Sequence, residues 1–233
     1  MAKLVQASKR SAAIGAILAG VVWCGASEVA YGAIISTYTF TGADPAGDAE
    51  TPAVTGAVFS SFSRVNLTAH AVNDQFVSND FAGGASIDTS EYIEFTVTAD
   101  AGYKLDLESI SFKHTRVDQN TTSRRGPQSG AIRADFESFG PGSGTGSTFS
   151  PVTSQTTSTW DFDDYSTLPG GSVTFRFYGW NQTGAPGHNS QRLNLDDVTL
   201  YGEVTPVILA PEPATFVGGS LAGLTLLFLR RRR

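Results

Sequence analysis

Apolar and polar residues alternate with a period of two through most of the middle of the chain. Within residues 92–98, Ile93, Phe95 and Val97 share one parity, and polar or amphipathic residues share the other. Successive side chains of a strand point to opposite faces, so this pattern predicts a strand with one buried face. Comparable runs, the last two of them weaker, are residues 34–40, 105–114, 131–136, 173–180, 193–201, 57–71 and 148–157.

Strand-like runs account for much of residues 34–204, and clusters of Gly, Pro, Asn and Asp separate them. No segment in this range has the 3.6-residue apolar repeat of a convincing amphipathic helix. Eight or nine short strands in about 170 residues predict an all-β fold, a single jelly-roll-like β-sandwich domain over residues 34–204.

The last strand contains a conflict of parity. Leu193 and Leu195 share one face of a regular strand, whereas Val198 and Leu200 share the other. One extra residue in a strand reverses the faces, so a β-bulge at residues 196–197 keeps both pairs in the core. The same bulge is expected to turn two carboxylates to one side.

The C-terminal end of the chain has the pattern of a membrane anchor. Residues 214–229 carry no charge, and a stop of four arginines follows: Arg230, Arg231, Arg232 and Arg233. A helix of this segment is roughly 24 Å long, slightly less than the ~30 Å hydrocarbon core of a bilayer. Arginines beside an apolar helix favour the cytoplasmic side. The pattern predicts a transmembrane helix with its arginine cluster over residues 214–233, and a domain on the opposite side.

Pro211, Glu212 and Pro213 stand directly before this segment. Two close prolines disfavour helix and leave an extended, accessible stretch, which suits a processing site. Pro-Glu-Pro, one apolar helix and an arginine cluster, in this order, resemble the PEP-CTERM sorting signal of exported bacterial proteins. The resemblance covers residues 211–233 and implies cleavage by exosortase, so that the tail is a transient anchor and residues 205–213 are its linker.

The N-terminal end predicts a secretory signal peptide over residues 1–33. Lys3, Lys9 and Arg10 precede the apolar stretch 11–23, and small residues follow. Cleavage after Gly32 places small residues at the recognised positions, and cleavage after Ala33 is the alternative. The only cysteine of the chain, at position 24, lies in this segment, so the domain has no disulfide bond.

Charge is distributed unevenly between the domain and the two ends. The chain has 22 acidic and 16 basic residues; residues 1–33 hold one acidic and three basic residues, and residues 205–233 hold one and four. The domain therefore holds 20 acidic and 9 basic residues, a net charge of −11. Such a domain is a poor partner for nucleic acid, because phosphate binding needs clustered Lys and Arg. Solubility is the simplest reason for the excess of acid.

Acidic residues also offer oxygen ligands for a hard cation such as calcium. Asp196 and Asp197, at the predicted bulge, are the first candidates. The run 161–164 and a loop with Asp44, Asp48 and Glu50 are further clusters, and none completes a calcium-loop pattern. Solvated turn carboxylates are the alternative interpretation.

No sequence motif indicates catalysis. His70, His114 and His188 are far apart, and the domain has no Gly-x-Ser-x-Gly motif, phosphate loop or cysteine nucleophile. The paired carboxylates of a glycosidase need only meet in space, but no pattern points to such a pair. We predict a protein that is not an enzyme, with a secreted hydrolase as the least favoured class.

One strand carries the best candidates for sugar contact. Phe175 and Phe177 share one parity, so burying them in the core turns the intervening side chains outward. Exposed aromatic rings beside polar groups are typical of glycan-binding surfaces. The alternative is that Trp180 closes one end of the core or lies under a loop. The candidate glycan contacts are Arg176, Tyr178, Trp160 and Trp180.

Four segments, EYIEFTVTADAGYKLDLESISFKHTR, RRGPQSGAIRADFESF, VTFRFYGWN and LNLDDVTLYG, resemble in their order the β-sandwich bodies of PEP-CTERM proteins. Closing strands of the LDDVTLYG type also resemble those of jelly-roll carbohydrate-binding modules. The first resemblance implies a cell-surface or extracellular-matrix protein with a structural or adhesive role, associated with exopolysaccharide. The second leaves open a carbohydrate-binding module specific for one glycan.

Deletion of residues 211–233 should change the destination of the protein. Without the anchor and the processing site, we expect the chain to reach the medium uncut at its C-terminus. The intact chain should give a membrane-bound precursor and a shorter product. Immunoblots of fractionated cells measure this, and cells that lack exosortase are the control, because only the precursor should accumulate there. Intact, uncut protein in the cytosol would contradict the prediction.

Overall fold

The computed structural model of the protein describes residues 32–42, 54–81, 83–118, 124–142, 145–183 and 191–208. In these ranges the chain forms twelve strands and one 3₁₀ turn, Asp135–Glu137, which confirms the predicted all-β fold. The strands are β1 (Ile34–Tyr38), β2 (Ala57–Phe59), β3 (Ser63–Val65), β4 (Thr68–Val72), β5 (Gln75–Asn79), β6 (Tyr92–Ala99), β7 (Tyr103–Val117), β8 (Ser129–Ala134), β9 (Thr148–Phe149), β10 (Thr156–Ser166), β11 (Ser172–Trp180) and β12 (Arg192–Pro206).

Six antiparallel strands form the first sheet, in the order β10-β7-β12-β5-β4, with β1 also paired to β12. The long strand β12 is central. It pairs with β7 along one edge. Along its other edge it pairs with β5 over residues 192–195 and with β1 over residues 198–201.

The second sheet also has six antiparallel strands, in the order β2-β6-β11-β8-β9, with β3 also paired to β6. β11 is its middle strand and pairs with β6 on one side and with β8 on the other. In β6 every second residue is buried, as the sequence pattern predicts. The alternation arises because one face of this sheet covers the core and the other does not.

Aromatic rings from the two sheets meet between them. Tyr38 of β1 contacts Phe95 of β6 edge to face, with ring centroids 5.2 Å apart. Phe112 of β7 contacts Phe177 of β11 in the same way at 5.0 Å. All four side chains are at most 1% exposed. The two sheets therefore pack face to face as a jelly-roll-like sandwich around one aromatic core.

The predicted bulge in the last strand is confirmed. Three steps along β12, from Asp196 to Thr199, match two steps along β7. Asp197 has a left-handed φ of 42°, which is uncommon for a residue with a side chain. Leu195 and Val198, on either side of the irregularity, are both buried. The extra residue thus restores the inward direction of the apolar side chains.

Two strands depart from the sequence pattern. β5 is absent from the predicted strands because residues 76–79 are all buried, so no alternation marks it. The acidic run 161–164, expected in a turn, lies within β10. Phe162 is buried there, and Asp161, Asp163 and Asp164 are exposed. The acidic residues of β10 are thus solvated strand residues rather than a turn cluster.

Several predicted features lie outside the described residues. They are most of the signal peptide, the loop acids Asp44, Asp48 and Glu50, and the sorting signal 211–233. β12 continues two residues into the predicted linker 205–213, and the N–H of Val207 donates to the carbonyl of Gly102 at 2.7 Å. Nowhere in the described ranges is a helix both long enough and apolar enough to span a bilayer.

His114 of β7 lies in the core and is 1% exposed. Its Nε2 is 2.9 Å from Ser158 Oγ, and its ring centroid is 4.7 Å from that of Phe149. Burial lowers the pKa of His114 from 6.5 to about 4, because an imidazolium is poorly solvated there. The fold therefore accommodates the neutral ring.

Acid should destabilise the domain through His114. The pKa is 6.5 in the unfolded chain and about 4 in the folded chain. The unfolded state therefore binds more protons between these values, and stability is lost as the pH falls through this window. Between pH 7 and pH 4.5, we expect the unfolding free energy of the wild type to fall by about 2 kcal/mol more than that of His114→Phe. Urea denaturation measures the unfolding free energy at each pH. Parallel pH profiles of the wild type and His114→Phe would contradict a lowered pKa for His114.

Candidate functional site

Burial of alternate residues in β11 sorts the predicted glycan contacts. Phe175 and Phe177 are fully buried in the core, as predicted. Arg176, Tyr178 and Trp180 have the opposite parity, so they lie on the outer face of the second sheet. Arg176 and Trp180 are half-buried.

The prediction that Trp160 contacts a glycan is wrong. Trp160 in β10 is 0% exposed and belongs to the core. Its ring packs edge to face on Phe162 at 4.9 Å and on Phe175 at 6.3 Å between centroids. Its strand buries alternate residues at this point, and Trp160 has the inward parity.

Tyr178 lies on the predicted face but is not an open platform, because it is only 1% exposed. Its ring centroid is 5.8 Å from that of Tyr92 in β6, and the guanidinium carbon of Arg133 in β8 lies 5.4 Å from it. Burial raises the pKa of the Tyr178 hydroxyl. Tyr178 therefore packs beneath Tyr92 and Arg133, and a ligand would contact those two side chains first.

The guanidinium of Arg176 lies between two aromatic rings. Its central carbon is 4.0 Å from the ring centroid of Tyr92 and 3.7 Å from that of Phe139. Arg176 Nε donates to Glu94 Oε2 at 3.0 Å. Burial by itself lowers the pKa of Arg176, but the hydrogen bonds to Glu94 and Tyr178 and the charges nearby together outweigh burial, and the pKa is raised. The guanidinium is thus fixed in position and fully charged.

Phe139 reaches this position through the turn that follows β8. Ser138 and Phe139 both have left-handed φ values, 54° and 53°. The N–H of Phe139 donates to the carbonyl of Ala134 at 3.0 Å. Arg133 Nη1 donates to the Phe139 carbonyl at 2.8 Å. Consecutive left-handed residues other than glycine cost free energy, and here they hold an aromatic ring over the sheet.

Six side chains thus form one cluster on the outer face of the second sheet, hereafter the outer-face cluster. Its members are Tyr92, Glu94, Arg133, Phe139, Arg176 and Tyr178. Sequence reasoning finds Arg176 and Tyr178 but not Tyr92 and Phe139. The sequence does indicate that Tyr92 points outward, because it alternates with the buried apolar residues of β6. No sequence signal reveals Phe139, because its position depends on the left-handed turn.

The predicted calcium ligands lie at the bulge of the first sheet. Asp197 forms an ion pair with Lys113. Asp196 accepts from Gln155 Nε2 at 2.9 Å and from the N–H of Asp197 at 2.8 Å. Burial and the adjacent Asp197 raise the pKa of Asp196. In the described ranges no group of three or more His, Cys, Asp or Glu side chains is placed to hold a metal ion. Two carboxylates, one held by an ammonium group, fall short of the six to eight oxygens that calcium takes.

Acidic side chains also line a surface pocket of ≈ 230 Å³ between β7 and β10. Asp106, Glu108 and Asp164 are among its lining residues. Asp106 accepts from Lys104 Nζ and from Thr205 Oγ1, each at 2.8 Å. Burial alone raises the pKa of Asp106, but the hydrogen bonds from Lys104, Ser166 and Thr205 and the charge of Lys104 together outweigh it, and the pKa is lowered. A glycosidase general acid needs the opposite shift.

Comparison with known proteins gives limited similarity. No family model matches the sequence, and no curated protein matches it. A family 11 carbohydrate-binding module of a cellulosomal cellulase of Clostridium thermocellum is 12% identical, covering 74% of this chain and 96% of its own, with a TM-score of 0.33. A family two carbohydrate esterase from Cellvibrio japonicus is 9% identical, covering 67% and 37%, with a TM-score of 0.31.

The CBM22-1–GH10 modules of xylanase 10B of Clostridium thermocellum, complexed with xylohexaose, are 12% identical. The alignment covers 77% of this chain and 30% of that one, with a TM-score of 0.30. The chain thus spans little more than a third of the esterase structure and less than a third of the xylanase structure. TM-scores near 0.3 leave the function of this chain to be argued from its own residues.

Replacement of Arg176 by lysine should loosen the outer-face cluster. An ammonium group keeps the charge but cannot stack as a planar group between two rings. We expect the free energy of unfolding to fall by about 1–2 kcal/mol, measured by urea denaturation. Arg192→Lys in the first sheet is the control and should change stability by less than about 0.5 kcal/mol. Equal effects of the two substitutions would contradict a role for ring stacking.

Proposed function

We propose that this protein is an exported, non-catalytic β-sandwich that binds polysaccharide through the outer-face cluster. The placement of Arg176 between Tyr92 and Phe139 is the observation that carries the proposal. Both rings are half-buried, so each keeps an exposed part beside a fixed guanidinium. Sugars bind where an aromatic ring meets their C–H groups and planar polar groups meet their hydroxyls.

The regular sheet supports this role. The pairing of β6, β11 and β8 holds Glu94, Arg176 and Arg133 side by side, and Tyr92 lies two residues before Glu94 in β6. A site built on strands is held more firmly than a site built on loops. The cluster therefore needs little ordering when a ligand arrives, and this lowers the entropic cost of binding.

The destination of the protein is part of the proposal. The predicted signal peptide and the resemblance of residues 211–233 to a PEP-CTERM sorting signal support export, transient anchoring and processing by exosortase. The protein would then act at the cell surface or in the extracellular matrix, in contact with exopolysaccharide. A purely structural or adhesive role without a specific glycan is the competing function.

Tyr92→Ala should separate a binding module from a purely structural protein. We expect the wild-type domain to bind at least one exopolysaccharide, and the substitution to weaken binding by about tenfold or more, because a platform ring is lost. Isothermal titration calorimetry measures the affinity. Tyr201→Ala is the matched control, because Tyr201 is also a half-buried tyrosine but lies in β12 of the first sheet.

If Tyr92→Ala is folded by circular dichroism and its affinity for the exopolysaccharide is unchanged, the binding site lies outside the outer-face cluster. Absence of wild-type binding across the exopolysaccharides of the producing cell would favour the structural role instead.

A further inference from the structure

We propose that the polysaccharide is acidic, and that Arg133 binds its carboxylate groups. This inference rests on the proposed function, because it assigns a ligand class to the same outer-face cluster. Its basis is the charge arrangement around Arg133, rather than the aromatic rings that indicate a sugar.

Two arginines face each other across neighbouring strands. In the register of the second sheet, Arg176 of β11 pairs with Arg133 of β8 on one side and with Glu94 of β6 on the other. Side chains at paired positions project from the same face of a sheet, and like charges placed there are destabilising. The register thus places two guanidinium groups and only one carboxylate, that of Glu94, at these three paired positions.

Glu94 compensates Arg176, but Arg133 has no such partner. In the described part of the chain no carboxylate pairs with Arg133; its Nη1 donates to the neutral carbonyl of Phe139, and its Nε has no hydrogen-bond partner. A half-buried cation without a counter-ion costs free energy, because it has lost part of its hydration. An anionic group brought by a ligand would recover that cost.

The nearby Asp135 does not neutralise Arg133. Asp135 Oδ2 accepts the N–H of Thr174 at 3.0 Å, and burial raises the pKa of Asp135. The printed contact of the Arg133 guanidinium on this turn is with the main chain, because Arg133 Nη1 donates to the carbonyl of Phe139 at 2.8 Å. The positive charge of Arg133 is therefore free to meet an external anion.

The overall charge of the domain limits the strength of binding but does not forbid it. A domain of net charge −11 repels a polyanion at a distance. At physiological ionic strength such repulsion is screened beyond roughly 8 Å. A direct guanidinium–carboxylate contact is much less screened and is one of the stronger hydrogen-bonded pairs in proteins.

A uronic acid matches both parts of the cluster. Its pyranose ring offers C–H groups to the rings of Tyr92 and Phe139, and its carboxylate offers an anionic acceptor to the guanidinium of Arg133. A neutral hexose satisfies the rings but leaves Arg133 without a counter-ion. The ligand class that fits is a polysaccharide containing hexuronic acid.

A chemically matched pair of polymers tests the inference. Polygalacturonate and alginate are each titrated into the full domain before and after reduction of their carboxyl groups to alcohols. We expect at least one native polymer to bind about tenfold or more tightly than its reduced form. Its affinity should fall as sodium chloride is raised from 50 to 500 mM.

Arg133→Gln should remove this preference without removing the aromatic platform. We expect binding of the native polymer to weaken to the level of the reduced one. Arg192→Gln is the control, because Arg192 lies in the first sheet, away from the outer-face cluster, and also forms no ion pair with a carboxylate in the described ranges. Unfolding midpoints of both variants establish that they are folded.

Two outcomes would overturn the inference, and they separate it from the proposed function. Equal binding of native and reduced polymers shows that the site recognises neutral sugar. Unchanged binding in Arg133→Gln shows that Arg133 is not the contact for the carboxylate. In both cases the proposed function stands. Failure of both acidic polymers to bind also overturns the acidic ligand class. If neutral polysaccharides then fail as well, the proposed function falls with it.

Discussion

The structure depends on aromatic side chains that meet between the two sheets. Phe95 contacts Tyr38 of the first sheet, and Phe62 stacks on the same Phe95 at 4.8 Å. The only cysteine of the chain lies at position 24, so no disulfide bond stabilises the sandwich. Apolar burial must therefore supply most of the stability, and large rings give the greatest buried area per residue. The spacing of the sheets follows from these ring contacts.

The outer-face cluster is a consequence of the same packing. Because Phe175 and Phe177 must point inward, the residues between and beyond them must point outward. Main-chain pairing then fixes which residues of β6 and β8 stand beside Arg176. The chemistry of the outer face is thus set by the register of a sheet whose inner face is fully occupied, and a slip of one residue would exchange the two.

Sequence reasoning succeeds where a side chain's position follows from parity alone. The strand at residues 92–98, the inward Phe175 and the bulge at Asp196 each need only the rule of alternating faces. It fails where the position depends on distant neighbours. Trp160 lies in β10 beyond the predicted run 148–157, so the strand pairing that gives it an inward parity is seen only in the structure, and Tyr178 is covered by side chains of other strands. Phe139 depends on two left-handed residues that no pattern announces.

The position of β12 has a consequence for how the domain forms. This strand closes the domain, yet it lies in the middle of the first sheet and pairs with β1, β5 and β7. A growing chain therefore lacks the central partner of that sheet until residue 206 has emerged. Pairings between the first and last strands are among the slowest to form, since long loops must close first. The first sheet therefore stays incomplete during synthesis and forms only when nearly all of the domain is available.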